Sequence, residues 1–188
     1  MQTQVLRLTG ALAALSLVGI LAARPAKNVQ PIAPLVSSPP ATEQDVIGVL
    51  TMIHHGVVDY SQLGVNHGTD PAVKEFARMM VKDHGQALDS MYGLASKLNT
   101  TPQMSEKAAD LEKEFKKDIE DLKAKKDGHD LDKEFMDEQI DLHQETIGVL
   151  KDLDEKTKDA NLKRAITKTL PKMEAHLERA KAVRSKLS

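Results

Sequence analysis

Apolar side chains recur every three or four positions from Thr42 to Leu187, a period that predicts helices and leaves no strand-like alternation to compete. Val46, Leu50, Ile53 and Val57 mark a first helix, with Thr42 placed to cap it and Asn66, Gly68 and Thr69 to end it. Asp70 followed by Pro71 predicts the next start, a capping carboxylate ahead of a proline in the first helical position. Val73, Phe76, Met80, His84, Ala87 and Met91 then carry one stripe toward Leu98, where Asn99, Thr100 and Thr101 break it. Pro102 is expected to open a third helix. Its stripe of Leu111, Phe115, Ile119 and Leu122 is thin among many charges, so this helix should be the most exposed or the most mobile of the set. Asp127 and Gly128 read as a turn, and Asp130 as the cap of a fourth helix marked by Leu131, Phe135, Met136, Ile140, His143, Ile147 and Leu150. Asp159 is placed to cap the last, with Leu162, Ile166, Leu170, Met173, Leu177 and Ala180 on its buried side.

Segments of about 20 to 28 residues at ~1.5 Å per residue make rods of roughly 30 to 40 Å. Short connections between them favour antiparallel neighbours, so the expected fold is all-α, a bundle of four long helices plus one additional or split helix over residues 42–188. Pro171 inside the last helix removes one backbone hydrogen bond. It reads first as a packing adjustment and second as an opening near Met173 and His176.

The chain ahead of Thr42 has a different character. Arg7 followed by a run of small and apolar residues from Leu8 to Leu21, then Ala22 and Ala23, predicts a secretory signal over residues 1–23, with an uncleaved N-terminal anchor as the alternative. Residues 24–41, with Pro25, Pro31, Pro34, Pro39 and Pro40, predict an extended linker. The expected location is therefore the periplasm or another exported site, in association with the cell envelope.

Composition narrows the chemistry. The 188 residues contain no cysteine, which excludes disulfides, thiolate metal sites and cysteine catalysis. The formal net charge of -2 implies no nucleic-acid surface. The basic run Lys123 to Lys126 lies between Asp121 and Asp127 and reads as a solvated face. No glycine-rich phosphate cradle and no serine elbow is present, and no catalytic residue is assigned.

Four of the seven histidines fall in four different helical segments: His54 or His55, His84, His143 and His176. Histidine inside a core needs a partner, so one per helix means either a metal site in the bundle or a set of internally bonded structural residues. The candidate metal ligands are His84, His143, His176 and His54, with Asp59 able to add an oxygen. Zinc, copper and iron are the candidate ions. A conventional di-iron centre requires Glu-x-x-His pairs, and the residues three before His84, His143 and His176 are Val81, Ile140 and Met173. Asp83, beside His84, lies about 100 degrees off its face. Met79, Met80 and Met91 read mainly as core filling, with a thioether site for copper as the alternative. His129 within Asp127–Asp132 lacks calcium-loop spacing, and His67 near a helix end is expected to face solvent.

Three blocks in order carry a family resemblance: Asp70-Pro71-Ala72-Val73-Lys74-Glu75-Phe76-Ala77 with Met80-Val81-Lys82-Asp83-His84; Asp132-Lys133-Glu134-Phe135 with Gln139 and His143; and Leu162-Lys163, Leu170-Pro171 and His176-Leu177 with Ala180. The chain from Val46 to Leu187 resembles the family called domain of unknown function 4142. The resemblance implies an exported bacterial protein with a ferritin-like helical bundle. Many members are labelled outer-membrane proteins, yet no barrel-like strands occur here. The family pattern includes Asp83-His84, His143 and His176 and brings no established catalytic role. Its first helix usually carries acidic residues near the centre, where this chain has Val57 and Asp59.

Two functions follow. The favoured one is a non-enzymatic envelope protein in a structural, interaction or stress-related role, with an envelope protein or surface as partner, loose membrane association, no nucleic acid, and a monomeric or dimeric state. It expects histidines bonded to protein partners. The alternative is a metal-binding or ferritin-like redox protein. It expects His84, His143, His176 and one first-helix ligand to converge.

Overall fold

In the computed structural model, residues 42–125 and 128–187 are described, and their regular structure is entirely helical. The expected signal and linker over 1–41, the turn residue Asp127 and the terminal Ser188 lie outside the described residues. Five helices follow in order: α1 (Glu43–His67), α2 (Pro71–Lys97), α3 (Glu106–Lys123), α4 (His129–Lys156) and α5 (Ala160–Arg184).

The local starts are set by side chains that satisfy the free backbone N–H groups of a first turn. Thr42 forms a reciprocal capping box with Asp45. Asp70 accepts from the amides of Ala72 and Val73, with Pro71 in the first helical position. Asp159 does the same for Asn161 and Leu162. Two starts differ from the sequence expectation. Pro102 lies outside α3, because Ser105 supplies the cap by accepting from Ala108 N–H, while the Gln103 amide donates to the Gln44 carbonyl at 3.2 Å. Gly128, at φ 128°, holds the cap position of α4 without a side-chain bond, so Asp130 falls in the first turn rather than at the cap. Its charge there still complements the helix N-terminus.

α1 lies along α2, α2 along α5, α5 along α4 and α4 along α1, closing a ring of four. α3, 18 residues long, packs outside the ring, mainly on α1 and lightly on α4. Its thin stripe is not left bare: Ala108, Leu111, Phe115 and Leu122 are buried. Gly56 makes room for it, since a Cβ there would sit 2.2 Å from Phe115 Cδ2. An apolar cluster joins the late residues of α1, α3 and α5 (Tyr60, Leu122, Val183) to the early residues of α2 and α4 (Phe76, Phe135). Direction therefore alternates around the ring, as the short connections predicted. The connection from α1 to α2 is tied to α4 by the buried carboxylate of Asp132, which accepts from Thr69 N–H and Oγ1–H and from Asp70 N–H at 2.6–3.2 Å.

The other end is filled by aliphatic side chains such as Ile47, Leu50, Leu150, Leu162 and Ile166. Between the two ends, at the middle of each of the four ring helices, a histidine is buried. α5 continues through Pro171, which stands on its exposed side.

Candidate metal centre

Helical periodicity decides which histidines enter the core. On α1, His54 falls one turn from both Leu50 and Val57, so it shares their buried face, and its neighbour His55 is turned outward. His84, His143 and His176 follow the buried stripes of α2, α4 and α5 in the same way. His54, His84 and His143 are 1% exposed and His176 is 6% exposed.

His84, His143 and His176 form a nearly equilateral triangle, with ring centroids 5.6, 5.5 and 5.5 Å apart. One ring nitrogen from each lies within 4.8 Å of the other two. Imidazole nitrogens held about 2.0–2.1 Å from one ion stand about 3.3–3.6 Å apart, and their ring centroids about 5.2–5.5 Å apart, for tetrahedral and trigonal arrangements. The rings thus already have the centroid spacing of a three-imidazole centre, and ring rotation alone brings the nitrogens closer.

The hydrogen bonds settle two tautomers. His143 Nδ1 lies 2.7 Å from the Gln139 carbonyl oxygen, which can only accept, so Nδ1 carries the proton. His176 Nε2 lies 3.1 Å from Asp83 Oδ2 and donates to that carboxylate. In each neutral ring the lone pair is therefore left on the other nitrogen, His143 Nε2 and His176 Nδ1. Both of these atoms, and His84 Nε2, are buried without a hydrogen-bond partner. Two orphaned acceptors and a third unpartnered ring nitrogen, from three helices in one layer, are what a buried cation would satisfy.

Burial holds the rings in the neutral, ligand-competent form. It pushes the His54 and His143 pKa values down to about 4. The His84 value is also pushed well below 6.5 by burial, with the other histidines adding to the effect. Burial lowers His176 as well, against the opposing pull of Asp83.

Among the candidates named from sequence, the structure brings together His84, His143 and His176 and places His54 beside them. His54 Nδ1 lies 3.2 Å from His84 Nδ1, so one of these two nitrogens donates to the other. With His84 offering Nε2 to the centre, His84 Nδ1 is the donor and His54 orients the ring instead of joining the triangle. Asp59 is not brought in. It lies one turn from His55 on the outward face, 3.2 Å from His55 Nδ1, and both side chains are 55% exposed. Asp83 lies off the His84 face, as its place in the sequence implies, yet it bonds a ligand of the centre. The missing signal was tertiary: α5 lies beside α2, so the direction that carries Asp83 away from its own stripe carries it to His176. Met80 and Met173, one turn ahead of His84 and His176, are buried. His67 and His129 are exposed, outside the cluster.

The chain belongs to the family described as Domain of unknown function (DUF4142), whose profile matches residues 31–183. No curated protein matches the chain in sequence. Solved structures share its fold at low identity. A Streptomyces coelicolor protein described as a secreted DUF305 protein aligns with a TM-score of 0.65 and 12% identity, covering 76% of this chain and 91% of that one. A DUF305 fragment from Deinococcus radiodurans aligns with a TM-score of 0.63 and 14% identity, covering 79% and 99%. CopM in its Cu(II)-bound form aligns with a TM-score of 0.59 and 14% identity, covering 77% and 97%.

Proposed function

We propose that this member of the DUF4142 family is an exported metal-binding bundle that holds one copper ion on His84, His143 and His176. The observation that carries the reading is the convergence of three neutral imidazoles, each with a buried ring nitrogen that no protein group satisfies. A purely structural set of histidines, as a metal-free envelope protein would use, expects those nitrogens to be bonded. Imidazole donors suit copper and zinc, and copper binds such donors more tightly than the other divalent first-row ions. The shared fold of Cu(II)-bound CopM supports the same choice. Iron has less support, because the Glu-x-x-His pairs of di-iron bundles are absent.

Export is supported by the signal-like residues 1–23 and the proline-rich stretch 24–41, and by the secreted description of the Streptomyces coelicolor protein. No helix among the described residues is long and apolar enough to cross a membrane. On the signal-like residues and that description, the domain is read as an exported, periplasmic bundle.

The test is metal content by elemental mass spectrometry on untagged protein purified from native periplasm. Near-stoichiometric copper, lost in a folded His84→Ala, His143→Ala double variant, is the expected result. A chain that arrives without metal and takes up neither copper nor zinc tightly would overturn the reading.

A further inference from the structure

We infer that Asp83 sets the ionic charge that the centre accepts, making a three-imidazole site able to hold a divalent ion. The inference rests on the three-imidazole reading above and adds a residue outside the triangle to it.

Three neutral imidazoles bring no charge to the layer. The cost of burying an ion rises with the square of its charge, so a divalent ion costs about four times what a monovalent one does. A compensating negative charge is therefore worth far more to Zn(II) or Cu(II) than to Cu(I). Asp83 is placed to supply one. Its Oδ2 lies 3.1 Å from His176 Nε2, on the side of the ring away from the unpartnered Nδ1. An ion on Nδ1 would draw electron density from the ring, acidify Nε2–H and strengthen its bond to the carboxylate, more so for a double charge. Lys172, one turn before His176 on α5, acts in the opposite sense on that ring, which leaves the balance to Asp83.

The position also suits an arriving cation. The Asp83 side chain is 31% exposed, against 7% for that of His176, so the carboxylate remains partly hydrated in the metal-free protein. His176 is in turn the least buried of the three ligands. The seam between α2 and α5, where the pair sits, is packed more lightly than α1 against α2 or α4 against α5. The layer thus meets solvent at a negative charge that is bonded to one of its own ligands.

Charge and position separate by substitution. Asp83→Asn keeps an acceptor for His176 Nε2–H and removes the charge. Asp83→Glu keeps the charge and displaces it by one methylene. Affinities of the full chain for Zn(II) and, under anaerobic reducing conditions, for Cu(I) are measured by competition with chromophoric chelators, with circular dichroism to follow folding. Asp83→Asn is expected to weaken Zn(II) by about 10- to 100-fold, with Cu(I) within about threefold of wild type. Asp83→Glu is expected to keep the wild-type ratio of the two affinities to within about threefold. Equal losses for both ions in Asp83→Asn, or an Asp83→Glu variant that loses Zn(II) selectively, would overturn the assignment, because either result makes Asp83 a positioning group alone. Unchanged affinities in Asp83→Asn would overturn it as well, and if that variant fails to fold, Asp83→Ser, which also removes the charge, decides in its place. Wild-type protein that takes up neither ion removes the centre itself and this inference with it.

Discussion

Two adjacent slices of this bundle are filled on opposite terms. Toward one end, Tyr60 stacks on Phe135 with centroids 5.5 Å apart, and Phe76 meets Phe135 edge-on at 6.5 Å. Gly64 leaves room for the ring, since a Cβ there would come 2.6 Å from Phe135 Cζ. In the middle, the space that aliphatic or aromatic groups could fill holds four imidazoles, and three of their buried nitrogens have no partner. The aromatic slice gains stability from area removed from water and from ring geometry. The histidine slice forgoes it, because a buried polar atom without a partner costs about 1–3 kcal/mol. One slice is built for the fold, the other for a ligand that the fold alone does not supply.

The largest expected effect breaks the first slice and spares the second. Phe135→Ala should destabilise the protein by about 3–5 kcal/mol in denaturant titration, with metal affinity intact under conditions where the variant is folded. Affinity that falls in proportion to stability would mean the two slices are not independent.

Next comes pH. The metal-free protein holds His54 and His143 neutral down to about 4, whereas unfolded histidine titrates near 6.5. Below that value the unfolded chain binds more protons than the native one. Stability is therefore complete above pH ~6.5 and is lost as pH falls toward 4, by about 1.4 kcal/mol per pH unit for each of the two rings. Urea midpoints at pH 7, 6 and 5 check it. Replacing both rings by leucine should make the dependence shallower, leaving the part that His84 and His176 carry, while Phe135→Ala should leave its slope unchanged.

Gly56→Ala should cost about 1–3 kcal/mol, because the added methyl meets the Phe115 ring and α3 must shift from α1. The smallest effect is at half-buried Glu145. Burial and then the charges of Glu114, Glu138 and Asp141 push its pKa up to about 7, with Lys107 opposing. Its ionisation weakens the fold as pH rises from the usual carboxylate range through 7. Glu145→Gln should stabilise by less than about 1 kcal/mol at pH 8, after allowance for solvent screening, and by nothing at pH 4.5.

The fold was legible because its determinants are local. Apolar period, caps at Thr42, Asp70 and Asp159, and short connections lie in sequence order, and a stripe on one helix says which side is buried without saying what it meets. The same logic put His84 and His143 inside. It also supports the choice of His54 over His55 in the candidate ligand set, since only His54 lies one turn from both Leu50 and Val57. It failed at Asp59, which shares a face with His55, and at Asp83, whose partner is 93 residues away. The α3 and α4 starts were misplaced because Pro102 and Asp130 suit a first turn by residue type, while Ser105 and Gly128 take the cap positions. Which nitrogen of each ring is left unpartnered depends on groups such as the Gln139 carbonyl, and no residue pattern records that.

The central claim, that three core imidazoles converge on one ion, is tested most directly by X-ray absorption at the copper edge on protein loaded with one equivalent. The expected spectrum has a first shell dominated by about three nitrogen scatterers near 2.0 Å with imidazole outer-shell features, reduced by one in folded His143→Leu and unchanged in His55→Ala. An oxygen-dominated shell, or a shell that loses its imidazole features in His55→Ala and keeps them in His143→Leu, would place the ion on the surface and contradict it.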